Sequence, residues 1–144
     1  MYGLTKLAGE VTYGNHLTIR TSIIGRELFT HHGLVEWFLS QRGKARGYTK
    51  AIFTGLTTAE LGRILVKIAK RPKITGLLNI STEKIDKCSL LRLVKKEFRK
   101  DDIEIVPYFG FVCDRSLNNS KMRKLGLLPK NYAQMIKELA AEKY

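Results

Sequence analysis

Tyr2 and Lys6 are the residues whose types and spacing best suit proton transfer. They stand four positions apart in a segment, Tyr2 to about Tyr13, that reads as a helix ended by Gly14-Asn15, two residues that readily adopt the left-handed conformation closing one. On a helix, this spacing places the phenol and the ammonium on one face, within reach of each other. A free tyrosine, with a pKa of about 10, is a poor acid or base at neutral pH. An ammonium within about 4–6 Å favours the phenolate and lowers that value, toward the range of a general acid. The other reactive types are less well arranged. Cys88 and Cys113 lie far apart without ligand-spaced neighbours, and the side chains of His31 and His32 diverge with no carboxylate nearby in sequence, so no metal site and no disulfide are expected.

The elements that must position these groups alternate between helix and strand. A buried parallel strand is expected over Leu17 to Ile24, and a short helix over Leu34 to Leu39, with Trp37 and Phe38 read as core. Ala45 to Phe53 reads as strand or turn. Thr57-Thr58-Ala59-Glu60 has the form of a capping box ahead of a helix through Leu61, Ile64, Leu65 and Ile68 that stops before Pro72. Leu77 to Ile80 reads as a strand, and Asp86 as the cap of a helix carrying Leu90, Leu91, Val94 and Phe98. Ile103 to Val106 reads as a further strand. Pro107 to Leu117 lacks helical periodicity and reads as a binding loop holding Asp114 and Arg115. A short turn of helix after Ser120 ends at Gly126, and Asn131 caps a last helix through Tyr132, Met135, Ile136 and Leu139. This order predicts an α/β fold. The strand near Leu17–Ile24 is expected to keep one open edge, a liability for association.

The pattern Tyr2-Gly3-x-Thr5-Lys6-x-x-Gly9-Glu10, followed by Leu17-Thr18-Ile19-Arg20-Thr21-Ser22-Ile23-Ile24-Gly25, resembles the extended short-chain dehydrogenase/reductase family. The likeness is to sugar-nucleotide reductases of the dTDP-4-dehydrorhamnose reductase type. It continues through Thr54-Gly55-Leu56-Thr57-Thr58-Ala59-Glu60-Leu61 and Cys113-Asp114-Arg115-Ser116-Leu117-Asn118. The resemblance implies the C-terminal part of an NAD(P)-binding Rossmann-type reductase. Residues 1–25 would be the tail of the dinucleotide-binding half and residues 26–144 mainly a substrate-binding lobe, together one domain. Tyr2 would be the proton donor, with Lys6 lowering its pKa and touching the nicotinamide ribose. Thr21 and Ser22 would lie on the cofactor side, and Arg115, with a weaker claim for Asn118, would contact the substrate's diphosphate. The family's glycine-rich phosphate turn and its catalytic Ser/Thr upstream of the tyrosine have no counterpart here. NAD or NADP is thus expected in a complete enzyme but not bound tightly by this chain alone. The expected partners are a nucleotide-sugar substrate, with a separate dinucleotide-binding half or further copies of the chain. Inactivity in isolation is expected, and a non-catalytic interaction or polyanion-binding protein is the alternative.

At 144 residues and 44% hydrophobic content the chain is long and apolar enough for one core. No stretch approaches the ~20 apolar residues of a membrane span, and the start lacks the layout of a signal peptide, so a cytoplasmic protein without membrane association is expected. The 26 Lys and Arg against 13 acidic residues give a net charge of +13, enough to attract polyanions generally. The cations read as spread along polar helix faces, as at Arg92, Lys95, Lys96, Arg99 and Lys100, without a nucleic-acid-binding motif. Specific nucleic-acid recognition is not expected.

Overall fold

The computed structural model describes residues 1–27, 29, 30 and 32–142, and for Tyr2 the backbone alone. Helix α1 (Tyr2–Ala8) leads to strands β1 (Leu17–Arg20) and β2 (Ile23–Ile24), then α2 (Leu34–Ser40), β3 (Gly43–Phe53), β4 (Leu56–Thr57) and α3 (Thr58–Ala69). There follow β5 (Gly76–Asn79), β6 (Ile85–Asp86), α4 (Lys87–Glu97), β7 (Ile103–Asp114), α5 (Ser120–Lys124) and α6 (Tyr132–Ala141). The expected α/β class is borne out.

The strands form three small sheets. β1 pairs in parallel with β5, from Leu17 opposite Gly76 to Arg20 opposite Asn79, and β2 pairs in parallel with β4. In the third sheet, β3 lies between an antiparallel β6 and a parallel β7. The single strand expected over Leu17–Ile24 is therefore two strands. Thr21 and Ser22 interrupt it because the chain there leaves one partner, β5, for another, β4, and the Ser22 carbonyl accepts from Leu56 N at 2.9 Å. Among the described residues β1 has one strand neighbour, so its second edge is open as expected. α1 ends at Ala8, short of Tyr13.

Two further expectations are corrected. Pro107 to Asp114 is not a loop but the second half of β7, which follows β3 in parallel from Gly43 opposite Ile103 to Ile52 opposite Asp114. Proline is admissible because β7 is an edge strand whose N–H groups need not all find partners. The ladder shifts register between Tyr48 and Lys50. The capping box at Thr57 is also absent. Thr57 is the N-cap of α3, but its side chain makes no cap bond and its Oγ1 is buried without a partner. Glu60 instead takes the Arg63 guanidinium and the Lys130 N–H. Asp86 and Asn131 behave as expected. Asp86 accepts from Ser89 N at 2.9 Å, and Asn131 and Gln134 form a reciprocal capping box.

The core lies between α3, α4, α6 and the strands. Phe38, Leu56, Ile64, Leu90, Met135 and Ile136 are wholly buried in it. Among the described residues no helix is long and apolar enough to cross a membrane.

Candidate functional site

A cavity of 510 Å³ opens where β2, the start of α2 and the β3–β7 ladder meet. Its walls include Ser22, Gly25, Thr58, Lys87, Phe111 and Arg115. Backbone geometry fixes Arg115: its N–H donates to Ile52 O at 2.9 Å, extending the ladder by one residue, and Leu117 N donates to the buried Thr54 Oγ1 at 3.0 Å just beyond. Lys87 is the first residue of α4, held in place by the Asp86 cap. Gly25 allows β2 to approach α3, since a Cβ there would lie 2.6 Å from Thr58 Oγ1.

The electrostatics leave two cations for a ligand. Asp114, beside Arg115, is turned to Lys84 at 2.8 Å and accepts from Ser116 N, and these bonds hold its carboxyl far below the usual carboxylate range. Arg26 is engaged by Glu36 and stacks over Phe98. Glu27 closes its own loop, accepting from Thr30 Oγ1 and His32 N, each at 2.8 Å. Hydrogen bonding from the Gly33 backbone, then from Thr30 and His32, lowers its pKa against a smaller opposing push from burial. Among the described residues, the side chains of Arg115 and Lys87 have neither a carboxylate partner nor a hydrogen bond.

Lys87 and Leu34 also line a second cavity of 320 Å³, whose walls include Trp37, Arg46 and Tyr48. The two chambers thus share a wall, with flat aromatic and guanidinium groups in one and free cations in the other. Groups suited to a planar ring thus stand next to groups suited to an anion.

The other expected site residues are placed as follows. Tyr2 and Lys6 share the register of one face of α1, but the Tyr2 side chain, like His31, lies outside the described residues. Lys6 is not among the residues that line the two cavities. Thr21 is partly buried at the β1–β2 junction, next to Ser22 in the cavity wall. Asn118 is outside the walls: its Oδ1 accepts from Ser120 N at 2.9 Å and its carbonyl from the Asn79 amide at 2.9 Å. Structure brings Ser22 and Arg115 together and adds Lys87, Phe111 and Tyr48, while Trp37, expected in the core, packs against it and also lines the second chamber. Of these, Lys87 had one local signal, its place immediately after a capping aspartate.

Among the described residues no helix follows a glycine-rich turn, and the helix that directly follows a parallel strand of the β2–β4 pair, α3, is capped at Thr57 without one. No group of three or more metal-ligating side chains occurs among them either.

No protein-family model and no curated protein matches this sequence. Solved structures do. The dTDP-4-dehydrorhamnose reductase of Bacillus anthracis str. Ames, in complex with NADP, superposes with a TM-score of 0.76 at 12% identity over 92% of this chain and 50% of that one. A hypothetical dTDP-4-dehydrorhamnose reductase from Sulfolobus tokodaii gives 0.66 at 23% identity, covering 86% and 47%. The UDP-N-acetylglucosamine 4-epimerase of Bacillus cereus gives 0.66 at 16%, covering 87% and 46%. This chain spans about half the length of each, and at such identities the likeness is one of fold: it carries the α/β fold found in about half of a Rossmann-type sugar-nucleotide reductase or epimerase.

Proposed function

We propose that this chain is the substrate-binding portion of an NAD(P)-dependent sugar-nucleotide reductase, binding a nucleoside diphosphate linked to a 4-keto sugar. The observation that carries the reading is the cavity lined by the unpaired Arg115 and Lys87, with Lys87 also lining the neighbouring Trp37 and Tyr48 chamber. A guanidinium fork and a lysine point charge suit a diphosphate, and the Trp37 and Tyr48 side suits a base or its ribose. In this reading residues 1–25 belong with a dinucleotide-binding half and residues 26–144 form the substrate lobe. Tyr2 gives the proton to the carbonyl oxygen being reduced, Lys6 lowers the tyrosine pKa, and Thr21 and Ser22 lie at the nicotinamide end. NAD or NADP is gripped by residues other than those described, whether they belong to a longer protein or to a separate chain.

Trp37 is the single tryptophan and lines the second chamber, so its fluorescence reports occupancy directly. Titration with UDP and dTDP is expected to quench it with a dissociation constant in the micromolar to millimolar range, about −8 to −4 kcal/mol. Arg115→Ala and Lys87→Ala should each weaken binding tenfold or more without changing the circular dichroism. Free NADH or NADPH should bind no better than millimolar. A chain that ignores both nucleotides, or binds them equally well in both variants, would overturn the substrate assignment. For the acid–base role, supplying a dinucleotide-binding half should produce reductase activity that Tyr2→Phe lowers about 10²–10⁴-fold.

A further inference from the structure

The charge of this protein is not spread evenly. Residues 61–82 and 115–137 hold 11 of the 26 cations and none of the 13 acidic residues, whereas the other 99 residues hold 15 cations against 13 acids. Nearly the whole excess of +13 therefore belongs to two segments, and the fold places them side by side. Arg71 Nη1 donates to Leu125 O at 2.6 Å, Lys121 Nζ to Leu77 O at 2.9 Å and Arg63 Nη2 to Leu128 O at 3.0 Å, so the last turns of α3 and the following loop run along α5 and its exit. Lys67, Lys70, Lys73 and Lys124 are exposed, and none has an ion-pair or hydrogen-bond partner among the described residues.

Two further features select the kind of partner. Val66 and Leu128, each 58% exposed, stand among these lysines. On α3 the residues Arg63, Val66, Lys67 and Lys70 follow the i, i+3, i+4, i+7 spacing of one helix face. No aromatic side chain occurs in residues 61–82 or 115–131, so these two segments themselves offer no ring on which nucleic-acid bases stack. Its arginines are occupied, Arg63 by Glu60 and Arg71 by a backbone carbonyl. The free cations are lysines, point charges on flexible stems that attract a diffuse anionic surface rather than fork individual phosphates. Exposed aliphatic residues among lysines match the boundary between lipid head groups and acyl chains.

We propose that the face formed by α3, the 70–75 loop and α5 is a docking surface for an anionic lipid bilayer, held peripherally without a membrane-spanning segment. It lies on the β5 side of the β1–β5 pair, since Lys121 bonds the β5 carbonyl of Leu77. The open edge of β1 faces the other way, so both surfaces can be used at once.

Vesicle co-sedimentation of the full chain tests this, using phosphatidylcholine alone and phosphatidylcholine with about a third phosphatidylglycerol. Binding to the second and not the first is expected, weakening as salt rises. K67Q/K70Q/K73Q/K124Q should lower the partition coefficient more than tenfold, whereas R42Q/K44Q/K50Q/K96Q, with the same charge removed elsewhere, should lower it less than threefold. V66S/L128S should lower the binding that remains at high salt and leave the low-salt attraction in place. Equal losses in the two charge variants would reduce the effect to net charge and overturn the proposal. So would absence of vesicle binding, or tighter binding to a DNA or RNA duplex than to anionic vesicles at physiological salt. Nucleotide quenching of Trp37 should be unchanged in all three variants, which separates failure here from failure of the substrate reading.

Discussion

The first and last helices of this protein are anchored in opposite ways. α6 buries Tyr132, Met135, Ile136 and Leu139 and begins with a complete capping box. α1 has no side-chain cap, contributes none of its described side chains to the core cluster, and leaves Leu4 and Leu7 exposed at 71% and 56%. Beyond the helix end, the bidentate Arg20–Glu10 pair at 2.6 and 2.7 Å and the Thr18 hydroxyl, bonded to both Val11 N and Val11 O, tie the 1–11 segment to the body. The cavity cations are thus set by ladder and cap geometry, whereas the proposed acid–base pair sits on an element whose apolar Leu4 and Leu7 side chains are exposed. Positional precision has to come from packing. For Tyr2 and Lys6 it would come from the body that covers Leu4 and Leu7.

This contrast is sharpest in stability. Ile136→Ala should cost about 2–5 kcal/mol, the range for truncating a wholly buried aliphatic side chain, read as a shift of the urea midpoint. Leu4→Ala and Leu7→Ala should each stay within about 0.5 kcal/mol. Comparable losses at all three positions would show that α1 is packed against the body, and the comparison would fail.

Glu60 gives the next largest effect, because it ties α3 to the segment leading into α6. Burial pushes its pKa up, but hydrogen bonds from Arg63 and Lys130 N outweigh that and the value lies below the ordinary 4.5. A depressed folded-state pKa means stability that is fully present above about 4.5 and lost as the pH falls through the lower folded value. Glu60→Gln should cost about 2–3 kcal/mol at pH 7, since it unpairs charge-assisted bonds at a buried site. The gap between wild type and variant should narrow by pH 3. A gap that is constant or widens on acidification would remove Glu60 from the linkage.

Smallest is the tie at the other end. Glu10→Gln should lower the urea midpoint only slightly, as expected of a pair open to solvent on the arginine side, and added salt should shrink the difference. A loss as large as that of Glu60→Gln would mean that α1 is held as firmly as α6.

What the sequence disclosed follows the range of the interactions involved. α3, α4 and α6 were readable because their spacing and caps, Asp86 and Asn131 among them, lie within one turn of chain. β7 was half missed because Pro107 and Gly110 look like breakers locally, and only β3, some 60 positions away, makes them strand. The break at Thr21-Ser22 depends on β4 and β5 and leaves no local mark. Arg115 was legible through the family resemblance, whereas the second chamber is assembled from α2, β3 and α4, which no short window contains. The segregation of charge was open to inspection in the sequence. Its meaning needed Arg71 and Lys121 to bring the two segments together.

The irregular course of β7 bears on how this protein behaves when concentrated. From Ile105 to Cys113 nine residues carry no charge, and Phe109 and Val112 are 64% and 75% exposed on a strand whose outer edge is open among the described residues. A flat strand of that composition would template stacking of one molecule's sheet onto the next. Pro107 withholds one amide hydrogen and the register shift beside Tyr48 bends the ribbon, so the edge offers no long straight run to copy. The proline and the kink thus act against edge-to-edge stacking at the stretch of β7 that carries no charge.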